Sequence, residues 1–397
     1  MEENTTLTKK ENNEQKYETL IAVAVTAVIS VLISFTIFHF FFLSDGRYEK
    51  LKQMDSLVEK HFYGEVDKEK LSDTLMMGYV AGLGDKYAYY YSSEEASLRN
   101  DSLAGSGQGI GIIVVQHPDS GNIYVKNVYH EGPADKAGIK VGDEITAIDS
   151  VSVTERGYQQ SVNDIIRELG ETVTVTVLRD GKTRDIKVEY SRFIAQTVFG
   201  QMLDSGVAYV EITSFNGGTY TQFKNTVDSL VSEGAKGIIF DLRGNGGGPV
   251  NSVTQMVDYL CPEGVIMTAK YANGDVKVVA ESDASEIELP MAVLTNAGTA
   301  SASEIFTASI KDFGKGISVG SMTFGKGVMQ STYAFSDGSD VVFTVAEFFP
   351  YSGKSFNGKG IEPDIEVTLT EEQQKYMHQT ALADDPVVVA AEAELLK

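Results

Sequence analysis

Cysteine is almost missing from the 397 residues, with Cys261 standing alone. A single thiol excludes an intramolecular disulfide, and neither CxxC spacing nor the Cys/His clusters of a structural zinc site occur. Beside Tyr259 and Leu260, this cysteine reads as a small buried hydrophobe. Histidine is scarce too: five, at 39, 61, 117, 130 and 378, with none near any serine-rich turn of the later chain. A Ser-His-Asp arrangement therefore has little local support. Basic charge is the third shortage, since 33 Lys and Arg face 56 Asp and Glu, giving a net charge of -23. That field repels phosphate backbones, and no Lys/Arg block offsets it, which argues against nucleic-acid binding.

What the chain does hold is apolar surface enough for two or three ordinary domains, at 42% hydrophobic and 22% charged residues. Residues 20–43 carry no Asp, Glu, Lys or Arg and are long enough to cross a bilayer. The stretch ends in FHFFFLSDG rather than a small-residue cleavage site, so it reads as an uncleaved signal anchor. Lys9, Lys10 and Lys16 on one side nearly balance Arg47, Lys50 and Lys52 on the other. Orientation rests instead on the short tail, residues 1–19, which is expected to stay cytoplasmic while the body behind the span is exported.

Residues 44–104 read as short amphipathic helices followed by the turn GDKYAYYYSSEE, whose tyrosines suit packing. From residue 105 the texture becomes strand and turn, interrupted by helix signals at GPADKAG and YQQSVNDIIREL. From about 191 apolar strands alternate with amphipathic helices, which predicts an α/β domain with a mainly parallel sheet up to about 370. The acidic end, 371–397, has an amphipathic character suited to packing on the body or on another subunit.

Three loops stand where sites form at the carboxyl ends of such strands. DLRGNGGGPV packs four glycines into the five positions from Gly244 and lacks the GK[ST] of a phosphate loop. Such a turn suits a tight reversal or a set of backbone N-H groups aimed at an oxyanion. LTNAGTASASEIFTAS places Ser301 three residues before Glu304, which is a capping box in sequence. Taken alone, Ser301 is either a helix cap or a nucleophile. SMTFGKGVMQSTY sets Lys326 between two glycines at the start of an expected strand, with Gln330 on the same face four residues on.

Together these segments resemble the carboxy-terminal processing peptidases, also called tail-specific proteases. Residues 105–190 resemble a PDZ domain, with Gly109, Ile110, Gly111 and Ile112 where such domains bind a peptide's terminal carboxylate. FFPYSGKSFNGKGIEPDIEV, at 348–367, is close to the family's P-x-G…I-x-G-x-G-I-x-P-D-I-x-V ending. It departs from it at Pro350 and at Phe356, changes that touch packing more than chemistry. The resemblance implies a ClpP/crotonase-like α/β peptidase core over 191–370 with an inserted, mostly β PDZ domain, preceded by one transmembrane helix.

It also implies a Ser/Lys dyad of Ser301 and Lys326, oriented by Gln330, with no metal and no cofactor. Ser303 is a rival nucleophile, and the 25-residue spacing to Lys326 favours Ser301. The oxyanion donors would be the N-H groups of Ala302 and Gly247. Arg167 stands where the family often has a PDZ arginine that couples the domains. For Lys326 to act as a base its pKa must fall from ~10.4 to near neutrality, which costs roughly 4 kcal/mol. The expected substrates are proteins or peptides with exposed C-termini, cleaved outside the cytoplasm by a membrane-anchored endopeptidase. A homo-oligomer or an activating partner stays open. The competing expectation is a membrane-anchored PDZ scaffold with an inactive peptidase-like domain.

Overall fold

The computed structural model describes residue 17 and residues 19–37 and 46–397. The chain divides into two compact units, one ending at Ser72 and the other running from Asp73 to Lys397. In the first unit Thr19–Ile37 is a 19-residue helix of mean hydropathy 2.6, long and apolar enough to cross a membrane. The remainder of the expected span, at 38–43, and residues 1–16 lie outside the described residues. Gly46–His61 and Lys68–Ala81 are the helices expected ahead of the turn GDKYAYYY.

The second unit is built on a six-stranded sheet in the order Val198–Met202, Ala208–Ile212, Ile238–Asp241, Met291–Thr295, Gly316–Gly320 and Ile365–Glu366. The first pair is antiparallel and the others are parallel. IIFD and MAVLT are apolar or buried at every position because both sheet faces are covered. Helices Thr219–Ser232, Val250–Leu260 and Ala302–Asp312 pack on one face, where Phe223, Phe240 and Phe306 meet in the core. The other face is closed by the terminal helix Pro386–Leu395, whose Val387, Val388 and Ala391 bury against Ile239, Ala292 and Leu294. The acidic tail thus packs on its own body. Cys261 is fully buried in the core, and burial pushes its thiol up to about 12. Phe356 is buried edge-on against Phe348, 5.4 Å between centroids, so its departure from the family pattern fills the core.

A second sheet joins Tyr89–Tyr91, Asp340–Pro350, Gly264–Tyr271 and Val276–Ser282, with Val328–Ala334 also paired to Asp340–Pro350. The tyrosine run ahead of residue 100 is therefore a strand of this sheet, with Tyr91 opposite Asp340.

The β-rich insert has five main strands, Ile112–Gln116, Ile123–Val128, Glu144–Ile148, Thr172–Arg179 and Lys182–Glu189, around a core containing Ile123, Val125, Ile145 and Val175. Strands Ser106–Gly109 and Ser191–Ile194 pair where the chain enters and leaves it. The helix expected over YQQSVNDIIREL is shorter than its pattern, ending at Asn163. Ile165 turns into the core, and the Arg167 guanidinium takes the carbonyls of Asp164 and Ile166 that a continuing helix would occupy. Polar contacts tie the insert to the rest of the unit, among them His130 N-H donating to Gln196 Oε1 at 3.1 Å and Asn127 donating to Glu211. Lys126 pairs with Glu211 at 2.6 Å, and Asp119 accepts from Lys375 and from the Tyr376 hydroxyl at the head of the tail.

Candidate active site

Because the central strands are parallel, the segments that follow Asp241, Thr295 and Gly320 leave the sheet at one edge. These are the three loops singled out by their glycines and hydroxyls. Buried hydrogen bonds stitch them together: Ala300 N-H donates to Asn245 O at 3.0 Å, and Phe324 N-H to Thr299 O at 3.0 Å.

Ser301 stands at the turn into helix Ala302–Asp312 with φ 60° and ψ -116°. A non-glycine residue held there carries strain of order 1–3 kcal/mol, a cost that surrounding structure must impose. Its neighbours are spent on structure. The Ser303 hydroxyl is fully buried and donates to Asn245 O at 2.9 Å, while the Thr299 hydroxyl donates to Leu242 O at 2.9 Å. Ser301 alone of the three is only half-buried. The Glu304 half of the capping box is present, its carboxylate accepting from Ser301 N-H, while Glu304 N-H donates to the Ser301 carbonyl at 2.8 Å, so one residue starts the helix and keeps its hydroxyl at the positive end.

Glu304 is the hub of the site. Fully buried, its Oε2 accepts from the N-H groups of both Ser301 and Lys326, each at 2.8 Å. The two backbone nitrogens are therefore no more than twice that distance apart. Its Oε1 accepts from the Thr323 hydroxyl at 2.6 Å and from Gly325 N-H at 2.7 Å. The spacing of Ser301 and Glu304 signals a cap, and nothing in it signals that the carboxylate also gathers the lysine loop.

Lys326 lies in the loop before strand Val328–Ala334 rather than in it, and the strand has a register shift between Met329 and Gln330. The period-two argument that put Lys326 and Gln330 on one face therefore fails. The Gln330 amide donates to Thr344 Oγ1 at 3.1 Å and to Val328 O at 3.3 Å, and no hydrogen bond joins it to Lys326. Lys326 is half-buried, with its Nζ 4.6 Å from the centroid of Tyr87. Burial pulls its amine below the ordinary lysine range and the nearby Lys86 adds to this, while Asp85 and Glu304 oppose it. Among the described residues no hydrogen bond links Lys326 Nζ with Ser301 Oγ.

Gly247, at φ 100°, packs so close that a Cβ there would stand 2.9 Å from Ser301 Cβ and 2.8 Å from Ala300 O. Only glycine fits. Its N-H, however, donates to Asn245 Oδ1 at 2.9 Å and is occupied in this conformation. Ala302 N-H has no backbone acceptor among the described residues. Asn245, buried and donating to Ile212 O at 2.7 Å, braces the whole glycine turn, a part that asparagine's liking for turns could have signalled.

In the insert, Ile110 is buried and its carbonyl accepts from Ala134 N-H at 2.8 Å, while Gly111 O accepts from Tyr129 N-H at 3.0 Å. Gly109 pairs with Ser191, and Ile112 opens the next strand opposite Val128. The N-H groups of Ile110 and Gly111 donate to no backbone carbonyl among the described residues. Arg167 pairs with Asp149, so its bonds all lie within the insert.

The sequence model of Peptidase family S41 matches residues 206–367, and that of the PDZ domain matches 108–190. Carboxy-terminal processing protease CtpA of Bacillus subtilis is 32% identical over 329 residues, covering 82% of this chain and 70% of its own. The chain belongs to peptidase family S41. It is a serine peptidase of the carboxy-terminal processing kind carrying a PDZ domain. A probable CtpA-like serine protease of Staphylococcus aureus is 29% identical over 358 residues, covering 89% of this chain and 72% of its own. The solved structure of a putative S41 protease from Bacteroides fragilis superposes with a TM-score of 0.60 at 15% identity. It covers 82% of this S41 chain and 90% of its own, a likeness of fold.

Proposed function

We propose that this S41 peptidase cleaves exported proteins near their C-termini with a dyad of Ser301 and Lys326. The observation that carries the reading is the single buried oxygen of Glu304 that holds the backbone of both residues. Ser301 attacks the peptide carbonyl, neutral Lys326 takes its proton, and the same amine passes that proton to the leaving nitrogen. The absence of a direct bond between them makes this conformation a resting one, since catalytic hydrogen bonds often tighten only with substrate. Ala302 N-H, at the positive helix end, supplies one oxyanion donor. Gly247 N-H supplies the other once Asn245 Oδ1 releases it. Gln330 acts through Thr344 on the lysine's surroundings.

The core over 191–370 is read as ClpP/crotonase-like, the PDZ domain as 105–190, the helical region as 44–104 and the closing tail as 371–397. The PDZ loop Gly109–Ile112 takes the substrate's terminal carboxylate on its unengaged N-H groups, and Arg167 serves domain coupling if it leaves Asp149. Residues 20–43 anchor the enzyme, with residues 1–19 cytoplasmic and the body outside.

The test compares one unstructured peptide with a free and with an amidated C-terminus. Removing the terminal charge is expected to slow cleavage at least tenfold by lowering recruitment. Equal rates contradict carboxylate recognition, and no cleavage of either peptide favours the inactive scaffold.

A further inference from the structure

The segment Asp85–Tyr87, which precedes the PDZ domain in sequence, meets the lysine from outside the matched peptidase segment 206–367. Tyr87 presents its ring to Lys326 Nζ at 4.6 Å and to Lys86 Nζ at 4.7 Å, so two amines flank one aromatic. The Tyr87 hydroxyl is buried and has no hydrogen-bond partner, which leaves the ring as its working part. Asp85 fixes the segment. Its carboxylate accepts from Thr344 N-H at 2.8 Å and from Tyr87 N-H at 3.0 Å. Thr344 in turn accepts from Gln330 at 3.1 Å, so Gln330 is connected to this segment. Lys86 also lies 5.9 Å from the ring of Phe324, two residues before Lys326.

We propose that Asp85, Lys86 and Tyr87 form a positioning element for Lys326, in which the Tyr87 ring gives the amine its resting place and Asp85 and Lys86 set the charge around it with opposite signs. The inference rests on the reading of Lys326 as general base. The titratable groups around that amine are Asp85, Lys86 and Tyr87 from this segment and Glu304 from the nucleophile helix. Lys86 disfavours a second positive charge beside it, and Asp85 favours one. An exposed lysine acts through water, so its part is small and screened by salt. The buried side of Tyr87 keeps solvent from one flank of the lysine, which sustains the desolvation that lowers its pKa.

The experiment measures kcat/KM against pH for the full chain in detergent, with an unstructured fluorogenic peptide bearing a free C-terminus. Lys86→Met is expected to move the acidic limb up by ~0.3–0.5 pH at low salt, a shift that fades in 1 M salt. Asp85→Asn, which keeps an acceptor for Thr344, is expected to move it down by ~0.5 pH. Tyr87→Leu is expected to lower kcat about tenfold or more with KM little changed, and Tyr87→Phe to restore it, since the hydroxyl is unengaged. Unmoved limbs in both charge variants, or shifts of the same sign, overturn the inference while leaving the dyad intact. Wild-type activity in Lys326→Ala overturns the dyad and this inference with it, so the two failures are told apart.

Discussion

Glu304 makes four hydrogen bonds from inside the protein, three to the loop that carries Lys326 and one to the start of its own helix. Replacing it by Gln keeps the volume and turns an amide N-H₂ toward N-H and O-H donors, leaving at least one of them unpaired. Buried bonds to a charged acceptor are worth ~1.5–3 kcal/mol each, and a stranded donor costs about as much. Glu304→Gln is therefore expected to lose ~2–4 kcal/mol in denaturant unfolding and at least a hundredfold in kcat. The strain at Ser301 and the place of Lys326 both depend on this carboxylate. Near-wild-type stability with lost activity would mean that it serves chemistry only. The turns that carry Ser301 and Lys326 were legible because strand-to-helix turns and glycine-flanked loops mark themselves. Glu304's second task was not, since its acceptance of Gly325 and Lys326 N-H is long-range geometry that no local spacing records.

At the scale of elements, the strand–helix alternation after residue 191 was readable because the central strands Ile238–Asp241 and Met291–Thr295 are buried on both faces and helix Thr219–Ser232 along one. Two elements read less well, each for a physical reason. The helix over YQQSVNDIIREL stops at Asn163 because Ile165 turns inward, and the strand after Lys326 begins late because its loop is held by Glu304. The tail helix Pro386–Leu395 was visible as amphipathic, but what it covers was not. It is held at its start by Asp385, which caps Val387 N-H at 2.9 Å and pairs with Arg243 of the glycine loop at 2.8 Å. Covering the sheet face opposite helix Ala302–Asp312 makes this tail part of the core. Val388→Asp, which puts a charge against Ile239 and Leu294, is expected to destabilise the protein by ~3 kcal/mol or more. A melting temperature within about a degree of the parent would show that the tail is dispensable.

For the molecule as a whole, a family S41 core, a PDZ domain and an apolar N-terminal helix are joined in one chain, with an excess of negative charge over its length. Among the contacts of the PDZ domain, Lys126–Glu211 to the core and Asp119 to the tail are partly exposed and of the weak kind, which on the proposed reading suits a domain that shifts when a substrate tail arrives. In the proposed mechanism such movement completes the pair of Ser301 and Lys326, whose backbones Glu304 gathers. The most direct test of that pair is covalent labelling with a serine-reactive phosphonate, followed by peptide mapping of the adduct, in the parent and in Lys326→Ala. A single adduct on Ser301, slowed at least a hundredfold by Lys326→Ala at neutral pH, is the predicted result. An adduct on Ser303, or labelling of Lys326→Ala at the parent rate, would contradict it.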